Sequence, residues 1–454
     1  MATAPSSSAS SSASAKGPNA RILAIALPAI LANSAAPMVG LLDSWTLANF
    51  AGTRELAAIG AGSTVFSFLL WAFGFLRMGT TGMVAQAAGK RDHEAISQLT
   101  VQSLAIGFGL GLIILLLAWP LLIGSLALLQ LPQGVTAAYE TYFLIRIVGS
   151  PLTLATYGIT GVLLGQERAR GVLVLQLVLN CANGALNLLF VIGFGMGAGG
   201  VALGTVIAEA LTFGVGMLLI LHGCSLADLT KALKAKATWS IDALSRLIKV
   251  NGLLFIRTIA LLSVFFVVTR QAAQFGEAAL AASHIFNTFL LLISLGLDAF
   301  AYAAEALAGA AYGDGNRRDF HQWSLRCGVW SVGTSLVYVA LFWFGGTTII
   351  AMLIPEDGAA VAALLSSVLW MLAIMPIIGV WSYLFDGIYV GATASLAMAV
   401  TMGLSAMGFF ALLPRLIDAY GVEGIWLTLL IFLGLRGLFQ GIWYPWIAKS
   451  IHKA

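Results

Sequence analysis

The chain has 454 residues, of which 60% are apolar and only 9% charged, with a mean hydropathy of +0.95. Charged residues make up about a quarter of a soluble globular domain, so composition excludes that class and identifies an integral membrane protein. The net charge of +4 follows from basic residues gathered at segment ends and requires no nucleic-acid partner.

Residues 1–20 are rich in Ser and Ala and hold no apolar stretch. They predict a disordered tail rather than a cleaved secretory signal, although a Ser-rich, acid-free start also fits a plastid-type transit peptide. The first apolar segment, 22–50, carries Pro28 and Pro37, which predict a bent helix. On one face of it stand Asn33, Ala36, Gly40 and Asp43. An ionisable side chain in a bilayer costs about 2.5–3.5 kcal/mol on insertion scales, so each one implies a partner or a task. Asp43 is the sharpest case, because a lone carboxyl can carry either a proton or the counter-charge of a cation. The plain alternative is an acid paired to a neighbouring helix for structure.

Further apolar segments are predicted at 55–82, 95–125, 137–165, 170–194 and 200–223. The fifth sets Gln176, Asn180, Asn183 and Asn187 at helical spacing, and the sixth sets Thr205, Glu209 and Thr212 on one face. These groups are candidates for a network around Asp43; they would serve equally well as glue between helices. The glycines from Gly193 to Gly200 have no preceding strand and no following acid at the distance a dinucleotide loop requires, so they read as a turn. The polar stretch 224–242, with Lys231, Lys234 and Lys236, predicts an amphipathic cytoplasmic helix on the membrane surface.

The second half continues with apolar segments at 246–270, 277–312, 322–349, 359–391, 394–414 and 422–447. Asn287, Ser294, Asp298, Tyr302 and Glu305 share a face of the eighth segment, Arg257 lies in the seventh and Asp386 in the tenth. With three acids set against one or two bases, Arg257, Asp298, Tyr302, Glu305 and Asp386 are candidates for a second cation or proton network. A purely structural ion-pair network is the alternative.

The halves repeat each other at about 224 residues: Leu56-Ala57-Ala58 returns as Leu280-Ala281-Ala282, Ala87 and Gly89 as Ala311 and Gly313, and Gly200 as Gly424. With a small gap, Pro151, Gly161 and Gly165 fall on Pro376, Gly387 and Gly391. Six segments in the same order in each half predict an all-α membrane protein of twelve transmembrane helices, in two six-helix bundles related by a parallel repeat. The expected organisation is a tail at 1–20, an N-terminal bundle at 21–223, a linker at 224–242 and a C-terminal bundle at 243–448. Fifteen of the 23 Lys and Arg residues flank the ends on one side, which predicts that side and both termini to be cytoplasmic.

Chemistry of other kinds finds no support. There is no HExxH, Walker A or nucleophile-elbow motif. The five histidines are scattered, and the three cysteines show no disulfide or zinc spacing. An enzyme is therefore not expected, nor a metal or other cofactor.

Three runs carry a resemblance: Ala26-Leu27-Pro28 with Gly40-Leu41-Leu42-Asp43; Phe75-Leu76-Arg77-Met78-Gly79-Thr80-Thr81-Gly82; and Leu297-Asp298-Ala299-Phe300-Ala301-Tyr302-Ala303-Ala304-Glu305. From about residue 21 to 447 the sequence resembles the multidrug and toxic compound extrusion (MATE) family, and within it the DNA-damage-inducible F (DinF) branch. The resemblance implies antiport, in which amphipathic and often cationic compounds leave as H⁺ or Na⁺ enters by alternating access. It implies that protonation of Asp43 is linked to bending of the first helix at Pro28, with Asn183 and Thr205 as companion polar residues. This chain departs from many relatives in carrying Asn187 where they have an aspartate. That leaves Asp43 as the one carboxylate of the N-terminal site and favours H⁺ over Na⁺.

The function expected is thus secondary active multidrug efflux by a monomer in a bacterial inner membrane, its partners being small-molecule substrates and membrane lipids. The alternatives are a lipid-linked precursor flippase, disfavoured by central charges that read as mostly acidic, and a membrane-embedded enzyme, for which no catalytic set is present.

Overall fold

The computed structural model describes the backbone of residues 17–50, 52–354 and 358–451, and the side chains of 35–50 and 353 lie outside the described set. The expected tail up to residue 16 and the Asp43 side chain are therefore outside it. Every described element is helical. In hydrocarbon each backbone N–H and C=O must be satisfied within the protein, and a helix does this locally.

The first half comprises α1 (Pro18–Phe50), α2 (Thr53–Trp71), α3 (Phe75–Gly89), α4 (His93–Leu116), α5 (Ala118–Leu129), α6 (Gln133–Ile147), α7 (Ser150–Gly165), α8 (Ala169–Leu188) with a π-turn at Leu189–Gly193, and α9 (Gly197–Leu221). A short α10 (Leu226–Lys234) leads into α11 (Ile241–Gln274), α12 (Glu277–Gly313), α13 (Arg317–Leu353), α14 (Ala359–Ser367), α15 (Leu369–Gly391), α16 (Ser395–Tyr420) and α17 (Glu423–Lys449). Among the described residues ten helical stretches are long and apolar enough to cross a membrane, and the bent pair α6–α7 makes an eleventh. With the 33-residue α1 this is consistent with the expected twelve. The chain is a multi-pass membrane protein.

Four stretches that read as continuous in sequence are interrupted. The segment at 55–82 divides into α2 and α3 between Trp71 and Phe75, that at 95–125 into α4 and α5 at Leu117, that at 137–165 into α6 and α7 between Ile147 and Ser150, and that at 359–391 into α14 and α15 at Val368. Pro120 explains the break at Leu117, because it has no N–H to offer the carbonyl of Leu116. The glycine-rich stretch at 193–200 is the turn expected, entered by the π-turn and left at Gly197, whose φ is +54°.

The repeat is written into the backbone. Left-handed φ values occur in pairs 224 residues apart, at Gly52 and Gly276, Arg91 and Gly315, and Gly197 and Gly421, while Glu167 and Thr393 stand 226 apart. Helix caps follow the same rule. Asp92 accepts from the Ala95 N–H at the start of α4, and Asn316, 224 residues on, accepts from the Asp319 N–H at the start of α13.

In the N half the α6–α7 span bends by 48°, with Pro151 as the second residue of α7. Around this bend lies a buried ion pair. Arg146 donates to both carboxylate oxygens of Glu209 on α9, at 2.9 and 2.7 Å, and its guanidinium lies 5.2 Å from the Phe66 ring centroid. Sequence named no partner for Glu209; this is it. Gly149 sits at the bend because any Cβ there would strike the Glu209 carboxylate. The linker helix α10 is tied to this half. It buries Leu229 and Ala232, and Gln102 on α4 donates to the Thr238 carbonyl at 2.6 Å.

The halves meet closely at the ends of α3, α12 and α15. Gly89, the last residue of α3, abuts the Ala310 carbonyl, and its repeat partner Gly313, the last residue of α12, abuts the Gln86 carbonyl. The Gln86 amide then crosses between halves to the Gly391 carbonyl at 2.9 Å and the Thr393 hydroxyl at 3.0 Å. Lys90, Arg91, Arg317 and Arg318 flank this closed end.

Gly313→Ala is expected to destabilise the protein by about 1–3 kcal/mol, since the neighbouring atoms are backbone and cannot move aside. Gly403→Ala, where a Cβ meets nothing within 4 Å, is the neutral control in thermal unfolding in detergent. Arg146→Met is expected to cost about 3–5 kcal/mol by leaving Glu209 buried and bare, and Arg146→Met with Glu209→Leu should recover most of that loss.

Candidate functional site

Two groups of polar side chains lie within the spans. In the N half, α8 and α9 form a directed chain of hydrogen bonds. The Asn187 amide donates to the Asn183 oxygen at 3.1 Å, the Asn183 amide to the Thr205 hydroxyl at 2.7 Å, and that hydroxyl to the Val201 carbonyl at 2.9 Å. One turn back, Asn180 is 9% exposed and its Nδ2 has no partner among the described residues. α1 packs along α8 and also along α12, where the Asn33 amide reaches the Leu295 carbonyl at 3.5 Å. Asp43 and its surroundings lie outside the described side chains, and Pro28 sits half-buried within the continuous α1.

The second group is central. Glu305 on α12, 2% exposed, receives both ends of the Arg77 guanidinium from α3, at 2.9 and 3.4 Å. The same guanidinium lies 4.5 Å from the Tyr302 ring centroid, a cation–π contact. Asp386 on α15 accepts from Arg257 on α11, from Arg436 on α17 at 2.8 Å, and from the Gln440 amide at 2.6 Å. Asp298 is half-buried and takes no hydrogen bond or ion pair among the described residues. It lies within electrostatic reach of Arg77, Arg257, Glu305 and Asp386. The Ser294 hydroxyl, one turn earlier on α12, is 2.7 Å from that of Tyr383.

This geometry corrects the expectation of three acids facing one or two bases. Three arginines, Arg77, Arg257 and Arg436, face Asp298, Glu305 and Asp386. The expected single network of Arg257, Asp298, Tyr302, Glu305 and Asp386 separates into two ion-paired clusters and one unpaired acid. Arg77 comes from the other half of the chain, 228 residues away from Glu305, so no local pattern announces the pair. Arg436 and Gln440 do carry a signal, standing four residues apart on an apolar helix and so on one face. Among the described residues no group of three or more His, Cys, Asp or Glu could hold a metal ion.

Comparison with known proteins gives this arrangement a family. The MatE family model matches twice, at residues 28–189 and 254–413, once in each half of the repeat. DNA damage-inducible protein F of Escherichia coli is 33% identical over 422 residues, covering 92% of this chain and 90% of that protein. The chloroplastic protein DETOXIFICATION 44 of Arabidopsis thaliana is 30% identical over 443 residues, covering 93% and 81%. A multidrug resistance MATE transporter solved in an outward-facing conformation superposes with a TM-score of 0.85 at 17% identity, over 97% of this chain and 98% of that one. The chain belongs to the MatE family, the multidrug and toxic compound extrusion transporters, and within it to the DinF branch.

Proposed function

We propose that this transporter exports amphipathic, often cationic compounds by antiport with H⁺, alternating between states open to either side of the membrane. The observation that carries the choice of ion is that, of the three central acids, Asp386 and Glu305 are occupied, which leaves no pair of free carboxylates to hold Na⁺. Asp386 is occupied by two guanidinium groups and an amide, and Glu305 by a third guanidinium. A Na⁺ ion would have to displace fixed positive charge to reach either, which the low dielectric makes prohibitive. In the N half Asn187 stands where many relatives have an aspartate, so a second carboxylate for Na⁺ is missing there too. A single acid, Asp43, suits a proton, which needs one carboxyl rather than a coordination shell.

The cycle we infer follows from this. Protonation discharges Asp43, removes the counter-charge for a cationic substrate and favours its release, while α1 rearranges around Pro28. Asn180, Asn183 and Thr205 supply the polar lining beside it. If the basic ends are cytoplasmic, closure at Gly89 and Gly313 corresponds to the outward-facing half of the cycle. We place the protein as a monomer in a bacterial plasma membrane with both termini inside. It is read as a transporter rather than an enzyme, with the coupling ion as a transported species and no resident cofactor.

A flippase for lipid-linked precursors is the second reading, and the three central arginines favour it more than the sequence did, since they could meet a phosphate. Their pairing with carboxylates argues against it, because a phosphate would first have to break those ion pairs.

The test is efflux of a lipophilic fluorescent cation from proteoliposomes. A pH gradient should drive wild-type transport and a Na⁺ gradient alone should not. Asp43→Asn should lose accumulation by about tenfold, the extent that one exchanged proton can sustain across one unit of pH, about 1.4 kcal/mol. Wild-type transport driven by Na⁺ alone would overturn the choice of ion, and movement of lipid-linked precursors without cation transport would favour the flippase.

A further inference from the structure

Among the described residues Asp298 is the one central acid without an ion-pair partner, and its position suggests why. On α12, Asp298, Tyr302 and Glu305 follow one another along a single face, the two carboxyl-bearing residues separated by roughly 10 Å of helix rise. Tyr302 lies between them. Its ring carries the Arg77 guanidinium at 4.5 Å while that guanidinium is bonded to Glu305. Arg77 also feels the charge of Asp298. Arg257 and Arg436 belong to the same half as Asp298 and are held on Asp386. Arg77 is the one cation of the cluster that comes from the other half, so it is the one whose place along α12 changes when the halves rock.

We infer that Asp298 is the second docking point of Arg77, which passes over the Tyr302 ring from Glu305 to Asp298 as the closed end opens. This rests on the alternating-access reading above. Opening at Gly89 and Gly313 draws α3 away from the end of α12 that holds Glu305. Contact between the halves then shifts along α12 away from Gly313, toward Asp298 at mid-helix. A guanidinium pulled off Glu305 into the membrane interior with no acceptor would oppose opening strongly. A second carboxylate keeps it compensated in both states, and the aromatic face between them supports the cation in transit. Small relative movements become two discrete states because the charge has two seats and no stable place between them. Asp298 is thus a positioning residue that acts through Arg77.

The test measures conformation without substrate. A cysteine is placed at Gln86, which is sealed between the halves, in a chain with Cys181, Cys224 and Cys327 replaced by alanine. Its labelling by a maleimide reports opening of that end. Asp298→Asn, which removes the second seat, should slow labelling by about tenfold and, in a parallel efflux assay, lower kcat while leaving KM near wild type. Glu305→Gln, which removes the first, should speed labelling by a similar factor. Asp298→Glu should restore both readouts. A merely structural role predicts that both variants loosen the protein and shift labelling the same way. Shifts in one direction, or no shift in Asp298→Asn, would overturn the exchange while leaving proton-driven efflux standing. A wild type whose Gln86→Cys site never labels would remove alternating access and the exchange together. Efflux assays on the same variants separate these from a failure of the transport reading itself.

Discussion

A charge inside a membrane protein has to find its counter-charge within the protein, because the surrounding hydrocarbon supplies none. Much of this molecule's interior is arranged by that requirement. Arg146 and Glu209 neutralise each other at the bend of α6–α7. Asp386 gathers Arg257, Arg436 and Gln440 from two other helices, and Glu305 is met by Arg77 across the boundary between halves. Each pair fixes helices that the uniform apolar surroundings would leave free to slide.

The second constraint is close backbone approach. Without a hydrophobic driving force between helices in lipid, association relies on packing of small residues. Gly89 and Gly313, copies of one another in the repeat, each receive the other helix's carbonyl. The seal is reciprocal for that reason, and the Gln86 side chain adds hydrogen bonds across it. A contact made of backbone atoms without side-chain slack is either formed or broken. The outer faces show the opposite character. Leu116, Leu128 and Phe344 are more than four-fifths exposed, as suits surfaces whose solvent is lipid.

Much of this was legible in the order of residues. The repeat, the segments and the turn at Gly193–Gly200 follow from periodicity and composition, because a helix in lipid satisfies its own backbone and needs no distant partner. The polar face of α8 was legible for a similar reason, while Asn183 and Thr205 were singled out together by the family resemblance. The breaks at Leu117 and Val368 were not, since apolar character runs across them unbroken. The charge balance of the central cluster was misread, because Arg77 sits at the edge of its segment and gives no sign that it leans on the other half.

By itself the sequence determined the class, the twofold repeat, the family resemblance and which residues could carry charge into the membrane; these depend on local pattern and on spacing along the chain. Only the tertiary structure decided which charges meet. Pairing is a matter of distance between helices whose partners stand 50 to 228 residues apart in sequence, and its energy depends on ångströms and burial rather than on residue type. That is why Glu209, Glu305 and Asp386 are now accounted for by named partners, and why Asp298 stands apart.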